Sequence, residues 1–520
     1  MPGHATDRPE LLRRGTTFPA ASSQAGGLCP PSPAKQNAAT RRDARGLRRM
    51  ALLSLCLLTT GCSDMGSIAY AMLGGSNTPD TSGTERISGF IGGVVADEPR
   101  AALVGREVLA LGGNAADAAV AVGFTLTATL PSRASLGAGG ACLAYQPQAD
   151  GPGGGTPEAI LFPPTAPAAP GRDADRPAAV PMLARGLYLL HARYGSANFD
   201  QLVAPAERTA LSGAPVSRAL ATDLAQVAGP LLADPGARVV FADANGQPLA
   251  EGAQLVQPDL GTTLAHLRTA GVGDLYQGSL GTSFVQAADA AGGGLTTEDM
   301  RLALPKLATP ITLPAGDDQA AFLPPPADGG LAAAGAFQVL RRDPSALAAA
   351  GARAQALAEL FRARGGDPAT LLAGTTPPAT LPPLPASTSF VVMDRKGGAV
   401  ACALTMDNLF GTGRVAPGTG VVLAATPARK PLPLLAAAIA WNPNQHAFRA
   451  AVAGSGQNAA GLAVGQALAV ALRGPAAMPA PVPEPGRANV VACSGYLPGD
   501  RSTCHWATDP RGAGLAAGGE

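Results

Sequence analysis

STSFVVMDRKGGAVACALTM, residues 387–406, holds two apolar runs separated by Asp394, Arg395, Lys396, Gly397 and Gly398. A short charged and glycine-rich break between such runs predicts a β-hairpin. Neither arm alternates cleanly between apolar and polar residues, which predicts strands covered on both faces. The proline-rich link TTPPATLPPLPA, residues 375–386, leads into the hairpin. Downstream, HAFRAAVAGSGQNAAGLAVGQALAVAL (residues 446–472) reads as strand, glycine turn and helix. Upstream, GGVVAD (residues 92–97) reads as a strand. The segment after it has apolar residues at helical spacing on both sides of Gly112 and Gly113, hence two helices, the second capped near Asn114. SLGAGGACLAYQPQ (135–148) and EAILFPP (158–164) read as further strands, and residues 180–300 as mainly helical. Helices beside doubly covered strands predict a layered α/β sandwich.

The 520 residues suffice for one large unit or two intertwined ones. Lys and Arg number 38 against 37 Asp and Glu, and no basic stripe is interleaved with aromatics, so nucleic acid is not expected as a partner. Residues 1–46 are too poor in apolar periodicity to offset their ordering entropy and are expected to be a disordered tail or a misplaced start. Residues 47–62 have the layout of an export signal: Arg48 and Arg49, the apolar run Ala51 to Leu58, then Thr59, Thr60, Gly61 and Cys62. The apolar run is shorter than the roughly 20 residues a membrane-spanning helix needs. Its ending resembles a lipoprotein cleavage box that would leave Cys62 lipidated and the protein in the periplasm or outer membrane; a plain signal peptide is the alternative. Residues 63–90 read as a linker.

Of the other cysteines, Cys493 and Cys504 flank a short polar, turn-rich stretch and are expected to be bridged if the chain is exported. Cys142 and Cys402 lie in apolar runs and are expected to be inert core residues. The five histidines show no HxxxH spacing and the cysteines no CxxC spacing, so no metal or cofactor is expected. GSGQNA, residues 454–459, fits a dinucleotide-binding pattern but lacks the acidic residue about 20 positions on, so a turn demanding glycine is preferred. Gly137 to Gly140 read equally as an anion cradle or as close strand packing.

The order of several motifs resembles the γ-glutamyltransferase family of N-terminal-nucleophile hydrolases. GGNAADAAVA (112–121), Pro131 with SLGAGGACL, Val180-Pro181, Tyr194-Gly195, LVQPDL (255–260), Tyr276 with Gly278, GGLTTED (293–299) and PPPADGG (324–330) follow the order of its large subunit. The stretch from Ser387 through FGTG (410–413) resembles the start of its small subunit. The resemblance implies a four-layer αββα sandwich, a large-subunit-like region over 91–386 and a small-subunit-like region over 387–520, the two associating with each other. It also implies self-cleavage before a hydroxyl residue whose freed α-amine serves as base, with a γ-glutamyl or related amide as substrate.

Carried over residue by residue, the resemblance puts the nucleophile at Ser387, with Thr388 as the alternative, and a hydroxyl bonded to it at Thr405. Substrate contacts fall on Asp407, Arg429, Gln457 and Asn458. Departures are numerous. The family's carboxylate-binding Arg has become Pro163, its acidic contact Arg429, and its serine pair Pro433 and Leu434, while Asp407 replaces an Asn and would repel a substrate carboxylate. These losses imply weak recognition of an ordinary γ-glutamyl group and leave a second reading, a non-catalytic envelope lipoprotein that keeps the fold as a binding module. A serine hydrolase of another fold lacks support, because no GxSxG elbow with a following acid and histidine is present.

Overall fold

The computed structural model describes residues 86–148, 150–168, 174–474, 479 and 481–519. The expected tail, the export segment with Cys62 and most of the linker lie outside them. In chain order the main strands are β1 (Gly92–Ala96), β2 (Gly139–Tyr145), β3 (Glu158–Phe162), β4 (Lys306–Ala308), β5 (Ile311–Ala315), β6 (Asp318–Phe322), β7 (Thr388–Asp394), β8 (Ala399–Thr405), β9 (Ala436–Asn442), β10 (Ala447–Ser455), β11 (Arg487–Leu497), β12 (Asp500–Thr508) and β13 (Leu515–Gly519). The helices that matter below are α1 (Pro99–Ala110), α2 (Ala115–Thr129), α3 (Leu183–Tyr194), α4 (Arg218–Leu232), α5 (Gly329–Arg342), α6 (Leu347–Arg364) and α7 (Ala460–Ala471).

One sheet runs β13-β1-β7-β8-β2-β3-β4, the other β12-β11-β10-β9-β6-β5. Phe390, Val392, Val400 and Leu404 pack into the helical layer on the outer side of the first sheet. Val391, Met393, Ala401 and Ala403 pack against Ala437, Ile439 and Ala451 of the second sheet. Helices α5, α6 and α7 cover that sheet's far side through residues such as Leu331, Leu357 and Val464. The result is the four-layer αββα sandwich, and it explains why the hairpin arms read as apolar throughout: each has two covered faces. Burying each Val or Leu there contributes about 1.5–3 kcal/mol relative to exposure.

The helix pair forms as its spacing implies. Gly112 takes a φ of +94° at the break, and Asn114 opens α2 in a reciprocal capping box with Asp117. At β2, a Cβ on Gly139 would lie 2.5 Å from the Phe162 carbonyl oxygen and one on Gly140 2.4 Å from that of Ala403, so both glycines serve close strand packing. GSGQNA is the turn between β10 and α7, with Gly456 at a φ of +107°.

One expectation about the cysteines changes and the other is met. Cys142 and Cys402 are not separate core thiols but form a disulfide. They face each other in register on β2 and β8, which a reading of each strand alone cannot reveal. Cys493 and Cys504 are bridged, though not across a loop. They are a register pair within the β11–β12 hairpin, whose strands run well beyond the cysteines. The β5–β6 hairpin also went unread, because Pro314 and the charges around Gly316 and Asp317 mask its apolar pattern.

Candidate active site

The proline-rich link ends where the central hairpin begins, so Ser387 immediately precedes β7 in the middle of the first sheet. Leu404 pairs with Thr388, which brings the end of β8 beside the end of the link. There the Thr405 hydroxyl donates to the Ala386 carbonyl oxygen at 2.8 Å and accepts the Asp407 N–H at 2.9 Å. The Ser387 hydroxyl is buried and has no hydrogen-bond partner. The expected hydroxyl-to-hydroxyl bond between Thr405 and Ser387 is therefore not made. With the Ala386–Ser387 peptide intact, its carbonyl takes the Thr405 proton instead. A donor at that place draws electron density from the carbonyl and can stabilise an oxyanion formed on it.

Thr388 is engaged elsewhere. Its hydroxyl donates to Asp97 Oδ2 at 3.1 Å, an atom that also accepts the Ser389 N–H at 2.9 Å. The Asn489 side-chain amide donates to Asp97 Oδ1 at 2.8 Å, and to the Ser389 carbonyl and hydroxyl oxygens at 3.0 Å each. Asp97, just past the end of β1, is held against the neighbouring strand β7, since its N–H donates to the Ser389 carbonyl at 3.2 Å.

Outside Ser387 lies a cleft of about 570 Å³ whose lining includes Asp97, Arg133, Arg218, Gln457 and Arg487. Arg133 forks onto buried Asp223 at 2.7 and 2.6 Å, Ser132 adds a third bond to that carboxylate, and the remaining Arg133 nitrogen reaches the Ser387 carbonyl at 3.4 Å. Burial opposes the Arg133 charge, but Asp223, with a smaller pull from Asp97, outweighs it and raises the guanidinium above its ordinary value. Removing either partner would strand a charge in a largely dry setting.

The residues expected to bind substrate do not converge. Gln457 lines the cleft, but Asn458 lines a separate cavity with Leu347 and Leu462. Arg429 is exposed on a turn whose N–H donates to the Thr426 carbonyl, and it does not line the cleft. Pro433 and Leu434 are buried in the packing that leads into β9. Asp407 is fully buried with both carboxyl oxygens unpartnered. Burial pushes it up to about 8, against the pull of Lys430 and Arg362, so at pH 7 it is mostly an uncharged acid. The expected repulsion of a substrate carboxylate does not arise in that state.

Sequence reasoning passed over Asp97, Arg133, Asp223 and Asn489. Asp97 and Asn489 left a signal, a charged or amide residue at the edge of an otherwise apolar run, as in GGVVAD and NVVAC, whereas Arg133 and Asp223 sit in mixed stretches that left none. Such residues are costly to bury unless paired, but a linear sequence does not show with what.

The family model Gamma-glutamyltranspeptidase matches residues 101–370. The glutathione hydrolase proenzyme of Escherichia coli (strain K12) is 27% identical over 390 residues, spanning 64% of this chain and 65% of that protein. That of Bacillus subtilis (strain 168) is 30% identical over 252 residues, spanning 46% and 43%. The chain thus spans less than two thirds of the length of either relative. Among solved structures, the cephalosporin acylase from Bacillus halodurans superposes with a TM-score of 0.64 at 19% identity, covering 85% of this chain and 98% of that one. Covering 85% of the chain, this likeness extends the shared fold past residue 370.

Proposed function

The chain belongs to the gamma-glutamyltranspeptidase family, and from that premise we propose that it is an amide hydrolase or acyl transferase that matures by cutting itself between Ala386 and Ser387. The observation that carries this reading is the Thr405 hydroxyl on the Ala386 carbonyl beside an unpartnered Ser387 hydroxyl at the edge of a cleft. In the first step Ser387 Oγ adds to that carbonyl while Thr405 steadies the oxyanion. The C–N bond then breaks, the hydroxyl proton passes to the Ser387 nitrogen, and an ester replaces the amide. Water hydrolyses the ester, leaving Ala386 as a carboxylate and Ser387 with a free α-amine.

That amine titrates at about 7.7–8.0 when unperturbed and can take the Ser387 proton near neutrality. The hydroxyl would then attack a substrate amide, form an acyl ester, and pass the acyl group to water or an amine. Ser387 is favoured over Thr388 because the Thr388 hydroxyl is spent on Asp97. With Pro163 in place of a guanidinium, and with Arg429 exposed, the acyl group is not expected to be held as a zwitterionic glutamate. An amide with an uncharged or singly charged acyl part fits better.

The test is turnover of glutathione and of a panel of neutral and acidic acyl p-nitroanilides by purified protein, with Ser387→Ala and Thr388→Ala alongside. The proposal expects one of the anilides to outpace glutathione, and Ser387→Ala to lower its kcat/KM at least about a hundredfold. Efficient glutathione turnover at about 10⁴ M⁻¹s⁻¹ or more would contradict the substrate reading. Loss of turnover in Thr388→Ala but not in Ser387→Ala would contradict the choice of nucleophile. The second reading, a non-catalytic binding module, draws on the apolar Pro433 and Leu434; a chain that stays uncut and inert would favour it. We further propose export, which the two disulfides support because such bonds persist in oxidising compartments, with lipidation at Cys62 proposed from the sequence of residues 47–62 alone.

A further inference from the structure

Asp97 immediately follows β1, in the large-subunit-like region, yet it is bonded to two consecutive residues just past the proposed cut. It binds the Thr388 hydroxyl and the Ser389 N–H and lines the cleft with Ser387 and Ala386. Behind it stands Asn489, fully buried, whose amide nitrogen makes three bonds while its Oδ1 has no partner. In the uncut chain the Asp97 carboxylate anchors the start of β7, the Asn489 Oδ1 is left without a donor, and the Ser387 nitrogen, being part of a peptide, has a single N–H to offer. An ammonium there has three donors to satisfy. We propose that Asp97, backed by Asn489, is the positioning residue that receives the α-amine freed by cutting before Ser387, orienting it toward Ser387 Oγ and setting its pKa. The inference rests on the self-cutting reading above.

A carboxylate beside an ammonium favours the charged form and raises its pKa. The charges facing the site oppose one another. Arg133 is paired with Asp223, Arg487 with Glu484, and Arg511 with Glu484 and Asp509. Arg218, whose guanidinium donates to the Gly512 carbonyl, stands at the rim. Asp407 is the other nearby group that titrates close to neutrality, so it serves as the control. Replacing Asp97 by Asn keeps shape and removes charge, and the amide side chain of Asn489 can turn so that its free Oδ1 accepts from the new amide.

The experiment uses the whole purified protein and cyanate, which carbamylates an amine only in its neutral form. Cutting is first read on a reducing denaturing gel. Carbamylation of the Ser387 N-terminus is then followed by peptide mass across pH 5 to 10, for the natural protein, Asp97→Asn, Asp97→Glu and Asp407→Asn. The expected result is a midpoint lowered by about half a pH unit or more in Asp97→Asn, restored in Asp97→Glu, and unmoved in Asp407→Asn. A midpoint unmoved in Asp97→Asn would overturn the assignment and leave the self-cutting reading intact. Should Asp97→Asn fold but stay uncut, recovery of cutting in Asp97→Glu would support the positioning role, and failure of Asp97→Glu to recover it would count against it. A natural chain that stays uncut overturns both.

Discussion

A carboxyl group that the fold forces to stay protonated leaves a mark on stability, and Asp407 is such a group. Its folded pKa of about 8 lies above the 3.8 of an ordinary aspartate, with burial the main cause. Between those values the folded chain holds a proton that the unfolded chain has released, so stability falls as pH rises through that window. Asp407→Asn should remove the slope and raise stability at pH 8 by more than about 1 kcal/mol, read from urea melts at pH 5 and pH 8. A slope equal in both proteins would show that Asp407 ionises freely in the fold. Thr405→Ala probes the other end of the same loop. Without its hydroxyl on the Ala386 carbonyl, cutting should slow about a hundredfold or more, by the scale of a lost oxyanion donor. At this scale the sequence marked Ser387, Thr388 and Thr405 through their motif positions. It misjudged Asp407, because the charge state of a carboxyl depends on solvent exclusion by residues distant in sequence. It missed Asp97 and Asn489 because their meaning lies in each other.

Among the elements, the central hairpin and the helix pair α1–α2 were legible because the periodicity, glycine break and cap that define them are local. The capping box at α2 also carries load beyond its own helix. Asp117 accepts the Asn114 N–H, the N–H groups of Ser196 and Ala197 and the Ser196 hydroxyl, tying α2 to the end of α3. Burial opposes its charge, yet the His191 ring at 3.8 Å and the bonds from Ser196 and Asn114 outweigh it and hold the carboxyl down at about 2. Its stabilising contribution is complete above about pH 4 and fades as pH falls toward 2. Asp117→Ala should therefore cost about 2–4 kcal/mol at pH 7 and less at pH 2.5, measured by denaturant unfolding. An equal loss at both pH values would make packing, not the charge, the cause. The β5–β6 and β11–β12 hairpins were not legible as strands. Their polar faces and prolines imitate loops, and only pairing with neighbours already in the sheet makes them strands.

Across the whole molecule, the family resemblance conveyed the four-layer sandwich, but the covalent tie between its two halves had to come from the register of β2 against β8. The Cys142–Cys402 disulfide joins a large-subunit-like strand to a small-subunit-like one, while Cys493 and Cys504 both lie on the small side. A chain cut before Ser387 should thus migrate as one species without reductant and as two with it, and Cys402→Ser should release two species under either condition. Two species without reductant in the natural protein would place the halves together by packing alone. The central claim is that Ser387 is the hydroxyl freed by self-cutting. The measurement that tests it most directly is the mass of the reduced, denatured protein, with N-terminal sequencing of the smaller fragment, for the natural chain and Ser387→Ala. The natural chain should yield a fragment beginning at Ser387, and the variant a single uncut species. A natural chain of uncut mass, or a fragment beginning at Thr388, would contradict it.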